Sequence, residues 1–387
     1  METPDVKRPL KIAFIGARGV VGTYSGIETY YEEVGSRLAA MGHDVTAYCR
    51  THFTPSIDAY RGIHVRRLPA LRNKHLETLS HSVLSTFDCL RRDFDIVQYH
   101  AIGSAPLALV PRLFGLTTVV SVRGLDWQRA KWGRFARTVL KMGEWASARC
   151  PNATVVVSRT LQEHYRAQHG ALTTCIPNAV VPAVRAEARR IHEFGLEPNR
   201  YVLFAGRISP EKHVHTLLEA MRPLQGKIRV ALAGGSSYSS GYIDEVRRLA
   251  TDDVVFLGSV DRNVMRELFS NCYAYVLPSM MEGLSVSLLE AVSYGCCIVV
   301  TDITENVEVV GDSALVFPPG DVAALRARLA SIIDDPELAA QYRTRALQRA
   351  STQPDWDEVA RRTEAFYYET VAGKARYVES TEHRTAD

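Results

Sequence analysis

Short apolar runs alternate along the chain with longer segments in which apolar residues recur every three or four positions. The first cycle begins with a predicted strand at Leu10–Ile15 and a glycine-rich loop at Gly16–Gly26. A helical pattern follows at Glu28–Met41, ends at Gly42, and leads into a second strand at Asp44–Cys49. Because buried strands that alternate with amphipathic helices are typical of parallel sheets, this pattern predicts a doubly wound α/β fold.

The same alternation continues through the first half of the chain. Helical patterns at Leu76–Arg91 and Phe135–Ser147 separate apolar runs of strand length. Further buried strands are predicted at His64–Leu68, Ile96–His100, Thr118–Val122 and Thr154–Ser158.

The alternation stops once and then resumes. Residues 179–198 contain Val-Val-Pro, a charged stretch and a Gly-Leu-Glu-Pro turn, which is typical of an inter-domain linker. Beyond it, five strands are predicted at Tyr201–Ala205, Ile228–Ala233, Val254–Leu257, Ala274–Leu277 and Cys297–Thr301. The helices predicted with them are Val214–Met221, Ile243–Ala250, Arg262–Asn271, Val286–Tyr294, Val322–Asp334 and Trp356–Thr370.

This pattern predicts two Rossmann-like domains that face a central cleft. The first occupies residues 1–182, a linker covers 183–198, and the second domain occupies 199–354. We expect a C-terminal helix at 355–372 to pack back toward the first domain and the polar tail at 373–387 to be disordered. Ligands of such sheets bind at the carboxyl ends of strands, so the cleft is the expected ligand site.

Composition and charge narrow the class of protein. The chain is 46% hydrophobic and 23% charged, and it has no apolar run near the roughly 18 residues of a membrane span. Its N-terminal segment does not resemble a signal peptide, and its seven cysteines include no CxxC pair, so we expect a cytoplasmic protein. Residues 1–182 carry 23 Lys+Arg against 14 Asp+Glu, whereas the rest carries 23 against 29. The basic first half indicates an anionic partner.

The segment MEGLSVSLLEA at 281–291 contains two glutamates, Glu282 and Glu290, separated by seven residues. Ser285 is the expected N-cap of the following helix, so the N–H groups of Gly283, Leu284 and Ser285 would point toward a polar ligand. Eight residues of helix span about 12 Å, more than the roughly 5–9.5 Å of a hydrolytic carboxylate pair. The spacing suits two ends of one long ligand; two solvated glutamates at a strand–helix junction are the alternative.

A second motif, FAGRISPEKH at 204–213, follows the predicted strand Tyr201–Ala205. Gly206 allows the backbone to turn, and Arg207 and Lys212 lie on one short loop. Two cations in this position could hold a diphosphate, although a solvated basic loop would have the same composition.

The two motifs together, GR-x4-K and E-x7-E, resemble family 4 of the retaining glycosyltransferases, which have the GT-B fold. Segments of the first half narrow this resemblance to a bacterial subgroup that contains rhamnosyltransferases of cell-surface polysaccharide assembly. The resemblance extends over roughly residues 10–370. The segments that resemble this subgroup are IGARGVVGTYSGIETYYEEV, RRLPALRNKHLETLSHSVL and VRGLDWQRAKWGRFAR.

The resemblance implies a role for each candidate residue. Arg207 and Lys212 would bind the donor diphosphate and stabilise its departing charge, Glu282 would contact the donor sugar, and Glu290 would bind the ribose hydroxyls. The remaining donor contacts would come from Gly19, Gly26, Arg123, Gly206, Gly283, Leu284 and Ser285. Such a site needs no metal and no further cofactor, because preorganised cations stabilise the leaving diphosphate.

Two positions depart from the wider family. His213 stands where glycine commonly follows the lysine, which affects how closely the loop can approach a phosphate. Arg123, before Gly124, stands where relatives often have His or Asp, and it could supply a phosphate contact instead.

Other motifs of the chain suggest rival functions. The loop Gly16-x-x-Gly19-x-x-Gly22 is not GxGxxG, but Arg50 could suit an NADP phosphate in an oxidoreductase. Asp93-Phe94-Asp95 has the DxD form of a metal motif, although a helix-to-strand turn explains it better. His213-Val214-His215 lacks further metal ligands nearby in the sequence, and Cys296-Cys297 is expected in the core.

Basic residues cluster at 61–74 and 129–141, the latter beside Trp127, Trp132 and Phe135. These stretches are either solvated helix faces or contacts for anionic lipid headgroups or a lipid-diphosphate acceptor. No nucleic-acid recognition motif accompanies them, so no nucleic-acid partner is expected.

The sequence therefore predicts a glycosyltransferase that moves a hexose or deoxyhexose, rhamnose included, from a nucleoside-diphosphate sugar with retention. The expected acceptor is a saccharide or lipid-linked saccharide, and the expected place is the cytoplasm or the inner face of the cell membrane. The first alternative is a non-catalytic protein that binds nucleotide sugars, and the second is an NADP-dependent oxidoreductase.

Overall fold

The computed structural model describes residues 8–21, 26–73, 76–128, 132–179, 182–235 and 240–373. It divides into two compact units. One comprises the described residues up to Asn178 together with those from Trp356 onward, and the other comprises Ala179–Asp355. The described part of the predicted tail is limited to Gly373, so the disorder expected there concerns residues outside the described ranges.

Each unit is built around one sheet. The strands, in chain order, are β1 Lys11–Ile15, β2 Asp44–Arg50, β3 Ala59–Tyr60, β4 Ile63–Leu68, β5 Ile96–His100, β6 Thr117–Val122, β7 Ala153–Val156, β8 Thr174–Cys175, β9 Tyr201–Ala205, β10 Arg229–Ala233, β11 Val254–Gly258, β12 Ala274–Leu277, β13 Ile298–Thr301 and β14 Leu315–Phe317.

Helices separate most of these strands. They are α1 Gly26–Ala40, α2 Glu77–Cys89, α3 Leu109–Leu113, α4 Arg134–Arg149, α5 Arg159–His169, α6 Val214–Met221, α7 Ser240–Leu249, α8 Arg262–Asn271, α9 Val286–Ser293, α10 Thr304–Val310, α11 Val322–Asp334, α12 Pro336–Ser351 and α13 Trp356–Val371. Short 3₁₀ turns lie at Ile102–Ala108, Asp126–Gln128, Arg190–Phe194, Pro210–Lys212 and Arg222–Leu224.

The strand orders confirm the predicted doubly wound α/β fold with two parallel-sheet domains. The first sheet has the order β3-β4-β2-β1-β5-β6-β7-β8, in which β3 pairs antiparallel with β4. The second has the order β11-β10-β9-β12-β13-β14. The order reverses between β1 and β5 in one sheet and between β9 and β12 in the other. These two places are topological switch points, where open α/β sheets bind ligands.

The central strands of both sheets are buried on both faces, as a covered parallel sheet requires, whereas the edge strands β3 and β11 are partly exposed. Residues of β9, β10 and β12 are almost entirely inaccessible, and helices α6, α9 and α11 pack against the same core. The strands and helices that the pattern of apolar residues did not predict are short or poor in large apolar residues. In α12, for instance, the fully buried residues are Ala339 and Ala346.

Part of the expected linker packs against the second unit. Ile191 and Leu196 are fully buried in its core. A carboxylate oxygen of Glu267 on α8 accepts the backbone N–H groups of Arg189, Arg190 and Ile191 at 2.8–3.2 Å. The segment 189–196 is therefore held in place by both apolar packing and hydrogen bonds.

Helix α13 belongs to the first unit although it follows the whole of the second along the chain. His43 Nε2 lies 2.9 Å from a carboxylate oxygen of Glu364, and Arg37 pairs with Asp357. Tyr367, fully buried, donates its hydroxyl proton to the side-chain oxygen of Gln98 on β5.

Candidate active site

Two loops meet at the switch point of the second sheet. Residues 206–213 follow β9, and residues 278–285 follow β12, its neighbour in the sheet. The N–H of Met280 donates to the carbonyl of Glu211 at 3.0 Å and joins the two loops. The topology thus brings together the two motifs that lie about seventy residues apart in the sequence.

Gly206 allows the backbone to leave β9 in a conformation that side chains disfavour. Its φ is +154°, and its N–H donates to the carbonyl of Ala233 at 2.9 Å. Gly234, with φ +142°, lies so close that a Cβ there would be 1.8 Å from the Gly206 carbonyl oxygen. Glycine at both positions therefore lets the ends of β9 and β10 pack backbone to backbone.

The two candidate cations each have an acidic neighbour. The ammonium of Lys212 forms an ion pair with Glu282 Oε1, and both side chains are about nine-tenths buried. Arg207, which is more exposed, lies 3.8 Å from a carboxylate oxygen of Glu211. These contacts orient the two cations before any ligand binds. An entering phosphate would compete with the carboxylates for them.

Ser285 caps α9 as predicted. Its hydroxyl accepts the N–H of Leu288 at 3.4 Å and lies 3.2 Å from the Ser287 hydroxyl. The buried Tyr275 of β12 donates to Ser287 at 2.9 Å. This network fixes the start of α9, where Gly283 and Leu284 connect the partly buried Glu282 to the helix.

Glu290, in the middle of α9, is half-buried. Loss of hydration raises the pKa of its carboxyl to about 7, although the positive charge of Arg262 opposes the shift. Within the described residues, no side chain forms a hydrogen bond with this carboxylate. A carboxylate that pays a desolvation cost without a partner is typical of a ligand-binding position.

His213, which stands where relatives commonly have glycine, adopts a backbone conformation that is typical of glycine. It has φ +47° and ψ +40°, in the left-handed region, and ends the 3₁₀ turn that contains Lys212. Its Nδ1 lies 3.2 Å from the Thr216 hydroxyl, and its ring lies 4.5 Å from that of His215. The loop therefore keeps the turn that glycine would allow, at a cost in backbone strain.

The glycine-rich loop of the first unit begins at that unit's switch point. A Cβ on Gly16 would lie 2.6 Å from the carbonyl oxygen of His100 at the end of β5, and one on Gly19 would lie 2.4 Å from the Thr54 hydroxyl. Gly26 is the first residue of α1. Residues 22–25 of this loop lie outside the described ranges.

Arg123 follows β6 in the same unit and is held by two contacts. Its guanidinium carbon lies 4.1 Å above the ring of Tyr30, and it donates to the side-chain oxygen of Asn178. Burial lowers the pKa of Arg123 to about 10. The buried His100 lies 5.2 Å from Tyr30 between ring centroids, and burial followed by the charge of Arg123 holds its pKa well below the usual value.

Sequence patterns did not identify Glu211, Asn178 or His100 as parts of these sites. Glu211 lies within the basic motif, but its partner Arg207 could be recognised only once the turn was known. Asn178 and His100 lie 55 and 23 positions from Arg123, and no local pattern connects them.

The residues of the rival motifs form ion pairs and hydrogen bonds within the fold. Asp95 accepts the backbone N–H of Lys11 at 2.8 Å and pairs with Arg8, and Asp93 pairs with the Lys11 ammonium at 2.9 Å. They lie at the amino end of β5, away from its switch point. Arg50 is buried and forms an ion pair with Glu77 at 3.0 Å, so its side chain has a structural role.

The remaining rival positions are also occupied by structural contacts. His215 Nδ1 lies 2.8 Å from the hydroxyl of Tyr242. Cys296 and Cys297 are buried, which confirms their predicted place in the core.

Two family matches together span most of the chain. Residues 25–179 match the family described as Glycosyl transferase 4-like domain, and residues 185–349 match Glycosyl transferases group 1. Glycogen synthase of Mycobacterium tuberculosis strain H37Rv is 26% identical over 392 residues, which cover 90% of this chain and 92% of that protein. D-rhamnosyltransferase WbpZ of Pseudomonas aeruginosa is 32% identical over 146 residues, 36% of this chain and 38% of its own length.

Solved structures share the fold. Sucrose-phosphate synthase from Thermosynechococcus elongatus has a TM-score of 0.81 at 22% identity, covering 94% of this chain and 99% of that one. Anabaena HepE in complex with UDP-glucose has a TM-score of 0.77 at 17% identity, with the same coverage. With a 4-like domain in its first half and a group 1 domain in its second, the chain belongs to the group 1 glycosyltransferases of the GT-B fold, which use nucleotide sugars as donors.

Proposed function

We propose that the chain transfers a hexose or deoxyhexose, with rhamnose as one candidate, from a nucleoside-diphosphate sugar to a saccharide or lipid-linked saccharide with retention. The observation that supports this best is the pairing of Lys212 with Glu282 at the switch point of the second sheet. It sets a phosphate-binding cation beside a carboxylate that can accept sugar hydroxyls. The partial similarity to a D-rhamnosyltransferase supports rhamnose as one candidate for the sugar, and a role in cell-surface polysaccharide assembly is part of the proposal.

In this proposal Lys212 and Arg207 act on the leaving group. The bond between the anomeric carbon and the diphosphate oxygen breaks, and negative charge develops on the diphosphate while the sugar becomes oxocarbenium-like. The two cations stabilise that charge more strongly in the transition state than in the bound donor. Retention then requires the acceptor hydroxyl to attack the face from which the diphosphate departs, and its proton passes to the departing diphosphate oxygen as the new glycosidic bond forms.

The remaining residues orient the donor. Glu290 would accept hydrogen bonds from the ribose hydroxyls, and Glu282 would hold the sugar. The N–H groups of Gly283, Leu284 and Ser285 at the start of α9 would donate to sugar or phosphate oxygens. Gly206 leaves room for the diphosphate, and the loop with Gly19 and Gly26 and the nearby Arg123 would supply the first unit's contacts.

We also propose that no metal or further cofactor takes part. Two preorganised cations can neutralise a diphosphate without a divalent ion. Under this proposal Asp93 and Asp95 remain in their ion pairs with Lys11 and Arg8 during turnover.

For the acceptor, we propose a lipid-linked saccharide at the inner face of the cell membrane. No helix in the described part of the chain is long and apolar enough to cross a bilayer. A peripheral attachment is supported by α4, on which Phe135, Val139, Met142 and Trp145 are all exposed. Arg134, Arg137 and Lys141 on the same helix are exposed as well and suit anionic headgroups.

The purified chain tests the proposal directly. A panel of nucleoside-diphosphate hexoses and deoxyhexoses should include one whose sugar is transferred to a lipid-linked saccharide, and NMR of the product should show the donor's anomeric configuration. Turnover should survive EDTA. An inverted product would contradict retention, loss of activity that Mn²⁺ restores would contradict metal independence, and donor binding without transfer or hydrolysis would favour the non-catalytic alternative.

A further inference from the structure

Three side chains, none of which is assigned to the donor, converge on a point between α4 and α5. His164 Nε2 and His169 Nε2 each lie 2.7 Å from the same carboxylate oxygen, Glu144 Oε1. The three candidate ligand atoms all lie within 4.8 Å of one another. Glu144 comes from α4, whereas both histidines come from the last two turns of α5.

The environment favours a bound cation. Glu144 is about 95% buried, and a carboxylate removed from water requires a compensating partner. With both imidazoles neutral the cluster has one negative charge, which suits a divalent ion.

A second layer of contacts already orients the carboxylate. Trp127 donates its indole N–H to the other oxygen, Glu144 Oε2, and so leaves Oε1 directed at the histidines. The ammonium of Lys141 lies 4.6 Å above the Trp127 ring. Hydrogen bonds of this kind to a ligand's second atom are a regular feature of metal sites.

We propose that Glu144, His164 and His169 bind a divalent transition-metal ion, for which Zn²⁺ fits the donor set of two nitrogens and one oxygen. A tetrahedral zinc ion with bonds of about 2.1 Å separates its ligand atoms by roughly 3.4 Å. The two observed separations of 2.7 Å between a histidine Nε2 and Glu144 Oε1 would have to widen by less than an ångström. The histidine side chains are 25% and 15% exposed, so a fourth position is open to water and the ion has a route of entry.

Bound metal would have a structural consequence within the first unit. It would tie α4 to α5 and, through Glu144 and Trp127, to the segment that follows β6. That segment begins with Arg123, which the proposed function places among the donor contacts. The metal site itself does not depend on the proposed function, and its test uses no turnover measurement.

The test is a titration of the full chain, freed of metal by a chelator, with Zn²⁺ in competition with a chromophoric chelator. We expect one tight site per chain. His164→Ala and His169→Ala should each weaken zinc binding by at least 10-fold, and Trp127→Phe, which removes only the supporting hydrogen bond, by about 10-fold. His215→Ala is the matched control, because it disrupts the other close histidine pair and should leave the tight site unchanged.

Glu144→Gln, which removes the third ligand, should weaken zinc binding as well. If this buried variant fails to fold, the two histidine variants decide the question, since both rings lie near the surface. Circular dichroism of each variant separates loss of a ligand from loss of structure. Absence of a stoichiometric site in the wild-type chain would overturn the proposal and leave a hydrogen-bonded cluster only. Equal zinc affinity in the wild type and in folded His164→Ala and His169→Ala would overturn it as well.

Discussion

The ion pair between Lys212 and Glu282 means that a donor phosphate must take Lys212 from an existing partner. The attraction that Lys212 offers a phosphate is therefore reduced by its attraction to Glu282. In the proposed function, binding of the phosphate would release the carboxylate toward the sugar, so one exchange of partners would position both ends of the donor's reacting bond.

This exchange gives different expectations for the two members of the pair. Lys212→Ala should lower turnover by on the order of 10²–10³, as removal of one oxyanion-hole donor does. Glu282→Gln should lower transfer but tighten the binding of plain nucleoside diphosphate several-fold, because Lys212 loses its competing partner. Initial rates and calorimetric titrations measure the two effects.

Lys227→Ala is the control for this pair, since Lys227 forms an exposed ion pair with Asp334 in the same unit and should leave both quantities unchanged. If Glu282→Gln instead weakened nucleoside-diphosphate binding, Glu282 would contact the diphosphate, and the proposed donor orientation would be wrong.

The raised pKa of Glu290 connects stability with pH. Burial raises the pKa of its carboxyl from the ordinary value of 4.5, which holds in the unfolded chain, to about 7. The folded state therefore holds a proton that the unfolded state has lost, and the free energy of unfolding falls as the pH rises from about 4.5 through 7. The same group, once ionised, is the better acceptor for ribose hydroxyls.

Glu290→Gln should remove this pH dependence. At pH 8 the variant should be more stable than the wild type by on the order of 1–3 kcal/mol, and near pH 4.5 the difference should vanish. Denaturant unfolding at several pH values measures this. At pH 8 the variant should also bind nucleoside diphosphate more weakly than the wild type; equal stability profiles of the two proteins would contradict the assignment.

At the scale of elements, α4 combines two faces with different contacts. Its inner face includes Gly143, where a Cβ would lie 2.4 Å from the Ile102 carbonyl oxygen, and Glu144 of the proposed metal site. Its outer face exposes Phe135, Met142 and Trp145 to solvent. Exposed aromatic and basic residues on one helix are typical of a surface that lies on a lipid interface.

The outer face of α4 should bind anionic vesicles. Wild-type binding should weaken as salt rises over a few hundred millimolar, because Arg137 and Lys141 contribute an electrostatic term. Replacing Phe135 and Trp145 together with serine should reduce vesicle binding at low salt by 10-fold or more. Co-sedimentation measures both effects.

Leu347→Ser is the control for α4, because Leu347 is an exposed apolar residue on a helix of the second unit. Equal binding of the wild type to neutral and anionic vesicles, or none to either, would contradict the electrostatic contribution and leave the basic residues as a solvated helix face. The positions 74 and 129–131 of the two basic stretches lie outside the described ranges.

At the scale of the whole molecule, the alternation of apolar runs with amphipathic helices was sufficient to predict two parallel-sheet units. The two-residue strand β8 and the alanine-lined helix α12 were not predicted, because neither has enough large apolar residues to show a period. The assignment of α13 to the first unit likewise depends on contacts such as Tyr367 with Gln98, 269 positions apart.

The sequence by itself determined the fold class and the cap of α9, and it located the two motifs proposed to bind the donor, because each depends on patterns of nearby residues. Only the tertiary structure decided which charges pair. Lys212 meets Glu282 because β9 and β12 are adjacent in the sheet, and Glu144 meets His164 and His169 because α4 packs beside α5. Strand order and helix packing bring together residues that are distant in the chain, and no local pattern records which of them will be in contact.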